Sequence, residues 1–219
     1  MTVLENKSYL WRHVAQQNAS KCALVANHKF AKDKIKIQDY TIVKKTLSGG
    51  TSTVTILSDK QGAYIVKKTY NSRVKLSGRP FNATESFNNE VQALLLLYGQ
   101  KHFPQLSYYS ESQLTIYMNY CGPTASIAAL PNNWKQQIYE IYKVMKSRHL
   151  YNNDIYINNF CIKDGEISLI DFGFAKHHID FCFYNLAASD INKATSLKEL
   201  CALIKTRGKS IYDTLYYCY

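Results

Sequence analysis

No apolar run in this 219-residue chain approaches the ~20 residues that a membrane span needs. The opening stretch, MTVLENKSYLWRHV, is polar and carries no secretory h-region. Both absences predict an intracellular protein, cytoplasmic or nuclear, with no membrane partner. No two of the six cysteines stand in C-x-x-C spacing, which argues against a zinc site or a redox dithiol. Cys22, Cys121, Cys161, Cys182 and Cys201 read instead as reduced, buried thiols, with Cys218 placed for exposure near the end of the sequence. Internal repeats and long low-complexity linkers are missing too. Acidic residues are scarce: 16 against 27 Lys and Arg, for a formal net charge of +11. Such a surface attracts polyanions, whether nucleic acid, acidic protein segments or ATP. The basic residues are dispersed, so a solvated basic surface is the plainer reading and nucleic acid stays open as a partner on charge alone.

What is present is ordinary for a globular protein, with 46% hydrophobic and 20% charged residues. The length suits one large domain or two small lobes. Lys, Asn, Ile and Tyr are abundant, and their A/T-rich codons point to an A/T-rich genome such as that of a virus or parasite.

Residues 1–38 read as an N-terminal helical extension, with Tyr9, Leu10, His13 and Val14 on one face. From Tyr40 the texture turns β-rich. YTIVKKTL, TVTIL and AYIVKKTY predict a three-strand antiparallel meander, with Gly49-Gly50 in its first turn. ESFNNEVQALLLLYG predicts a helix ending at Gly99. LSYYS and LTIYMNY predict two more strands. WKQQIYEIYKVMKSRHL predicts an amphipathic helix, with Trp134, Ile138, Ile141, Tyr142 and Met145 at helical spacing. NNFCIKDGEISLIDFG predicts a β-hairpin turning at Asp164-Gly165, and short helices follow from about residue 179.

The chemistry-bearing residues lie around that hairpin. Asp171-Phe172-Gly173 ends a strand with a carboxylate and a sharp turn. Upstream, Asp154 and Asn159 stand five positions apart. An Asp, an Asn, a hairpin and then D-F-G resembles the catalytic and metal-binding loops of the protein-kinase-like superfamily. Other segments extend the likeness in family order over about residues 38–186. IVKKTLSGGTSTV resembles the glycine-rich loop, YIVKK the strand with the ATP-contacting lysine, NNEVQALLLL the helix carrying that lysine's glutamate partner, and LTIYMNYCG the strand and hinge between lobes.

The resemblance implies an α+β, bilobal, protein-kinase-like fold with an antiparallel β-sheet N-lobe and a reduced helical C-lobe. Its divisions would be 1–38, 39–122 and 123–219. It implies an ATP-dependent phosphotransferase of atypical Ser/Thr protein-kinase type, with ATP and Mg²⁺ (or Mn²⁺) as cofactors and a protein substrate of host or virus. Asp154 would orient the acceptor hydroxyl. Asn159 and Asp171 would hold the metal as hard oxygen ligands. Lys67, following the apolar pair Ile65-Val66, would be the phosphate lysine; Lys68 would then point to the opposite face. Glu90 would pair with that lysine, with Glu85 as fallback. Gly49, Gly50, Thr51 and Ser52 would approach the phosphates, and Val54 would cover the adenine. Met118 resembles the gatekeeper, and Asn119 and Cys121 the hinge. The plainer alternatives are a turn or cap for Asp154, a solvent-facing lysine and a surface glutamate.

The sequence also departs from the family pattern. The third glycine of the loop is replaced by Thr53, and Asn152-Asn153 stand where His-Arg would be. His149 has the wrong spacing for the family histidine and reads as a structural residue at a helix end. Tyr156 replaces the lysine usual in protein kinases. No A-P-E motif or long activation segment follows Gly173. The short crossing resembles RIO kinases and the small kinase of the KEOPS complex, with Asp180 matching the aspartate that holds the catalytic loop. These departures keep two alternatives open: a pseudokinase or decoy that binds a host kinase or its partner, and a small-molecule or nucleic-acid-related kinase.

Overall fold

The computed structural model describes residues 40–48, 51–71, 75–76, 79–80, 82–126, 128–152, 154–177 and 188–204. The expected N-terminal helix, Gly49, Gly50, Asn153, Asp180, Cys22, Cys182 and Cys218 lie outside them.

The chain is a mixed α+β protein built on a five-stranded antiparallel sheet. The strands β1 (Tyr40–Ser48), β2 (Ser52–Asp59), β3 (Tyr64–Tyr70), β6 (Leu106–Ser110) and β7 (Thr115–Asn119) lie in the order β1-β2-β3-β7-β6. Between them run a two-residue pair, β4 (Lys75–Leu76) with β5 (Arg79–Pro80), and helix α1 (Ala83–Leu96). The first three strands form the expected antiparallel meander from runs of β-branched residues, and a short polar turn at residues 60–62 joins β2 to β3. Strand alternation then decides the faces of β3. Val66, Lys68 and Tyr70 share one side; Ile65, Lys67 and Thr69 share the other.

Helix α1 starts at Asn82, whose Oδ1 accepts from the Glu85 N–H at 3.0 Å while Glu85 Oε2 accepts back from Asn82 Nδ2 at 3.3 Å. Glu85 is thereby a helix-cap residue. Phe87, Val91 and Leu94 recur at helical spacing and are buried. Each such side chain contributes about 1.5–3 kcal/mol by leaving water. Glu90 falls on that same inward face, one turn from Phe87 and Leu94, so the helix period itself carries a carboxylate into the core.

The second half holds α2 (Trp134–Ser147), β8 (Leu150–Asn152), a 3₁₀ turn (Ile157–Asn159), β9 (Phe160–Lys163), β10 (Glu166–Leu169), β11 (Ala175–His177) and α3 (Ala188–Lys193), with further helix over 197–204. β9 and β10 form the expected hairpin, with Asp164 (φ +51°) and Gly165 (φ +75°) both left-handed in its turn. α2 clamps this hairpin. Gln137 accepts from the Ile167 N–H at 2.8 Å and donates to the Gly165 carbonyl at 2.9 Å. His102 meets the Ile167 carbonyl at 2.7 Å and Glu140 of α2 at 3.2 Å. The antiparallel pairing of β8 with β11 was not legible from the sequence, since each strand is only three residues long. His149, in the left-handed region at φ +51° just beyond α2, is exposed.

One continuous apolar core runs from Tyr70 and α1 through β6, β7 and α2 to Leu200 and Cys201. Gly122 fixes the path between β7 and the second half. Its φ is +94°, and a Cβ there would land on the Ile162 carbonyl. Among the described residues, Cys121, Cys161 and Cys201 are buried. Burial, with Cys121 nearby, pushes the Cys161 thiol up to about 12, which leaves it unreactive. Among the described residues no helix is long and apolar enough to cross a membrane.

Candidate active site

The site forms where β3, α1 and the end of β10 converge. Lys68 Nζ lies 2.7 Å from Glu90 Oε2 and 2.7 Å from Asp171 Oδ1. The Lys68 side chain is 5% exposed, that of Glu90 1% and that of Asp171 29%. Burial alone would strip the charge from Lys68. The two carboxylates outweigh it and hold the ammonium well above its ordinary range. Burial also opposes charge on Asp171, yet the charge and hydrogen bond of Lys68 keep its carboxyl below the usual value.

This geometry corrects the assignment of the lysine. Lys67 was expected to face the site, but Lys68 does. Lys67 sits on the opposite side of the sheet, half-buried, with Nζ 6.0 Å from the centroid of the Tyr117 ring. The apolar pair Ile65-Val66 points to Lys67, whereas the register of β3 turns Lys68 inward. Val54 and Met118, the Cα partners of Lys68 and Val66, are half-buried and buried. Of the two glutamates of α1, Glu90 rather than Glu85 meets Lys68.

Asp171 has φ +65°, a left-handed conformation that is rare and costly for a non-glycine residue. The turn is held from several directions. Phe172 is fully buried, its ring 6.2 Å from that of Phe103, and its N–H points at Glu90 Oε1 at 3.5 Å. Asn89 donates to the Gly173 carbonyl at 3.3 Å. Asn152, 1% exposed, donates to the Asp171 carbonyl at 3.0 Å and accepts from the Asp154 N–H at 3.1 Å. It is therefore the strut between the Asp154 loop and the Asp171 turn. Only its position before Asp154 hinted at this.

Asn159 closes the arrangement. Its Nδ2 donates to the Asp154 main-chain oxygen at 2.6 Å and to Asp154 Oδ2 at 3.2 Å. Its carbonyl accepts from the Ile170 N–H at 2.8 Å, next to Asp171. Asp154, Asn159 and Asp171 are thus joined by a few hydrogen bonds. The remaining expected residues are placed as follows. Ser52 is buried and Thr51 half-buried at the start of β2. The Thr51 carbonyl accepts from the Asn71 N–H at 3.0 Å. Asn119 is exposed at the end of β7, and Cys121 is buried with Sγ 3.9 Å from the Asn119 carbonyl. Among the described residues no group of three or more His, Cys, Asp or Glu is placed to hold a metal ion.

The pH dependence follows from these shifts. The folded pKa of Asp171 is depressed, so its contribution to stability is complete above the unfolded value of about 3.9 and lost as pH falls through the folded one. That of Lys68 is raised, so its contribution is complete below about 10.4 and lost above. The stability difference between wild type and Asp171→Asn, from urea unfolding, should be constant from roughly pH 5 to pH 9 and shrink below about pH 4. A difference that already changes near neutrality contradicts the ion pair.

No protein-family model matches the chain, and no curated protein matches it. The functional reading therefore rests on the residues themselves.

Proposed function

We propose that the protein is an ATP-dependent phosphotransferase with a bilobal, protein-kinase-like fold. In this reading it transfers the γ-phosphate to a hydroxyl, as an atypical Ser/Thr protein kinase. The observation that carries the proposal is the buried Lys68 held by both Glu90 and Asp171, with Asp154 and Asn159 tied to the same turn. A scaffold gains little from burying three charges, because a buried ion pair is seldom more stabilising than apolar side chains of the same volume. Phosphoryl transfer needs positioned charge more than covalent chemistry, and such a cluster supplies it.

Charge bookkeeping supports a divalent cation. Among the described residues Lys68 faces two carboxylates, Glu90 and Asp171, so this cluster carries a formal charge of −1 inside a protein of net charge +11. Asp171 and Asn159 would hold Mg²⁺, a hard cation suited to oxygen ligands. The bound metal would neutralise phosphate charge. Lys68 would bind the phosphates, Glu90 would hold Lys68 in place, and Asp154 would orient the acceptor hydroxyl and take its proton.

A thermal-shift titration tests the binding half. ATP with Mg²⁺ should raise the melting temperature in a saturable way, since a ligand of the native state stabilises it, and ATP with EDTA should do so much less. No shift with either would favour the non-enzymatic binding module.

A further inference from the structure

We propose that Tyr70 is a positioning residue, a latch that fixes Glu90 against Lys68 and couples α1 to the turn after Asp171. Its consequence for catalysis rests on the phosphotransferase reading; the latch rests on geometry alone.

Strand alternation puts Tyr70 on the Lys68 face of β3, two residues along, where it is 6% exposed. Its hydroxyl donates to Glu90 Oε2, the same oxygen that Lys68 Nζ holds at 2.7 Å. Lys68 Nζ lies 5.1 Å from the centroid of the Tyr70 ring. The ring stands edge-on to Phe87, centroids 6.4 Å apart and planes at 85°, one turn before Glu90 on α1. On its other side is Gly173, where a Cβ would lie 2.8 Å from the Tyr70 hydroxyl oxygen. One phenol thus touches β3, α1 and the Asp171–Gly173 turn.

The physical need is clear. Lys68 has Asp171 as a second partner, so its charge would stay satisfied if Glu90 swung away with α1. A glutamate has three rotatable bonds and is costly to immobilise. A second donor on the same carboxylate oxygen removes that freedom. Burial, and the negative charge of Glu90, raise the phenol pKa well above its ordinary value, so the latch stays a neutral donor near neutrality. An internal hydrogen bond from Tyr70 keeps the Lys68–Glu90 pair assembled.

The test uses the full chain with Tyr70→Phe, Gly173→Ala and the double variant. Tyr70→Phe keeps the ring packing and removes only the hydroxyl. Hydrogen exchange over residues 83–96 should rise about tenfold, the factor expected for one lost hydrogen bond. Turnover should fall about tenfold while the Kd for ATP with Mg²⁺ moves less than about threefold, because positioning rather than affinity is lost. Gly173→Ala should raise exchange over the same residues by colliding with the hydroxyl. On the Tyr70→Phe background its effect should be much smaller, a non-additivity that independent structural damage does not produce. Unchanged exchange over 83–96 in both single variants, or strict additivity, overturns the latch. A wild type that neither binds ATP nor transfers phosphate overturns the phosphotransferase reading instead, and the exchange data still decide the latch.

Discussion

Lys68→Met is expected to lower phosphotransfer about a thousandfold, whereas Lys67→Met should leave it within about threefold. The two lysines are neighbours in sequence with nearly the same local context. Their fates differ because a strand alternates. Lys68 is buried between Glu90 and Asp171, 2.7 Å from each. Lys67 rests near the Tyr117 ring on the opposite face. Removing Lys68 also leaves two carboxylates without their cation in a buried setting, which costs about 3–5 kcal/mol. The Lys68 variant should therefore bind ATP weakly and unfold earlier in urea. Steady-state kinetics of the two variants side by side settle the assignment. Equal losses would contradict the assignment of the phosphate contact to Lys68 alone.

Asp154→Ala is expected to lower turnover by a factor of about 10²–10⁴ and to leave ATP affinity within about threefold. The loss should be confined to chemistry because the loop is held by main-chain atoms. Asn159 Nδ2 reaches the Asp154 carbonyl oxygen at 2.6 Å, and the Asp154 N–H reaches Asn152 at 3.1 Å; both bonds survive the substitution. The contact of Asn159 Nδ2 with Asp154 Oδ2 at 3.2 Å disappears. Single-turnover rates with saturating ATP and Mg²⁺, beside the affinity measured by calorimetry, separate the two effects. An alanine variant as active as wild type would remove Asp154 from the mechanism.

Much of this was legible in the sequence, for physical reasons. The meander, the two later strands, α1, α2 and the hairpin each have a strong period or an explicit turn signal such as Asp164-Gly165. Asp154, Asn159 and Asp171 stood out by their likeness to the kinase loops, and hydrogen bonds in the structure bring the three together. The apolar pair Ile65-Val66 points to Lys67 because it is one residue out of step with the inward face of β3, which carries Lys68. The better signal was Tyr70. Val66 and Tyr70 make the bulkier alternating face of YIVKKTY, and Lys68 lies between them. Asn152 and the β8–β11 pair depend on contacts between distant segments, Asn152 with Asp171 and Leu150 with His177, which no local pattern announces.

The central claim is that Lys68, Asp154, Asn159 and Asp171 form a phosphotransfer site. Incubation with labelled ATP and Mg²⁺, with the protein itself and model proteins as acceptors and mass spectrometry of the products, tests it most directly. The account predicts metal-dependent phosphate on a hydroxyl side chain with wild type, and none with Asp171→Asn. Wild type without transfer, or Asp171→Asn transferring as well as wild type, would contradict it.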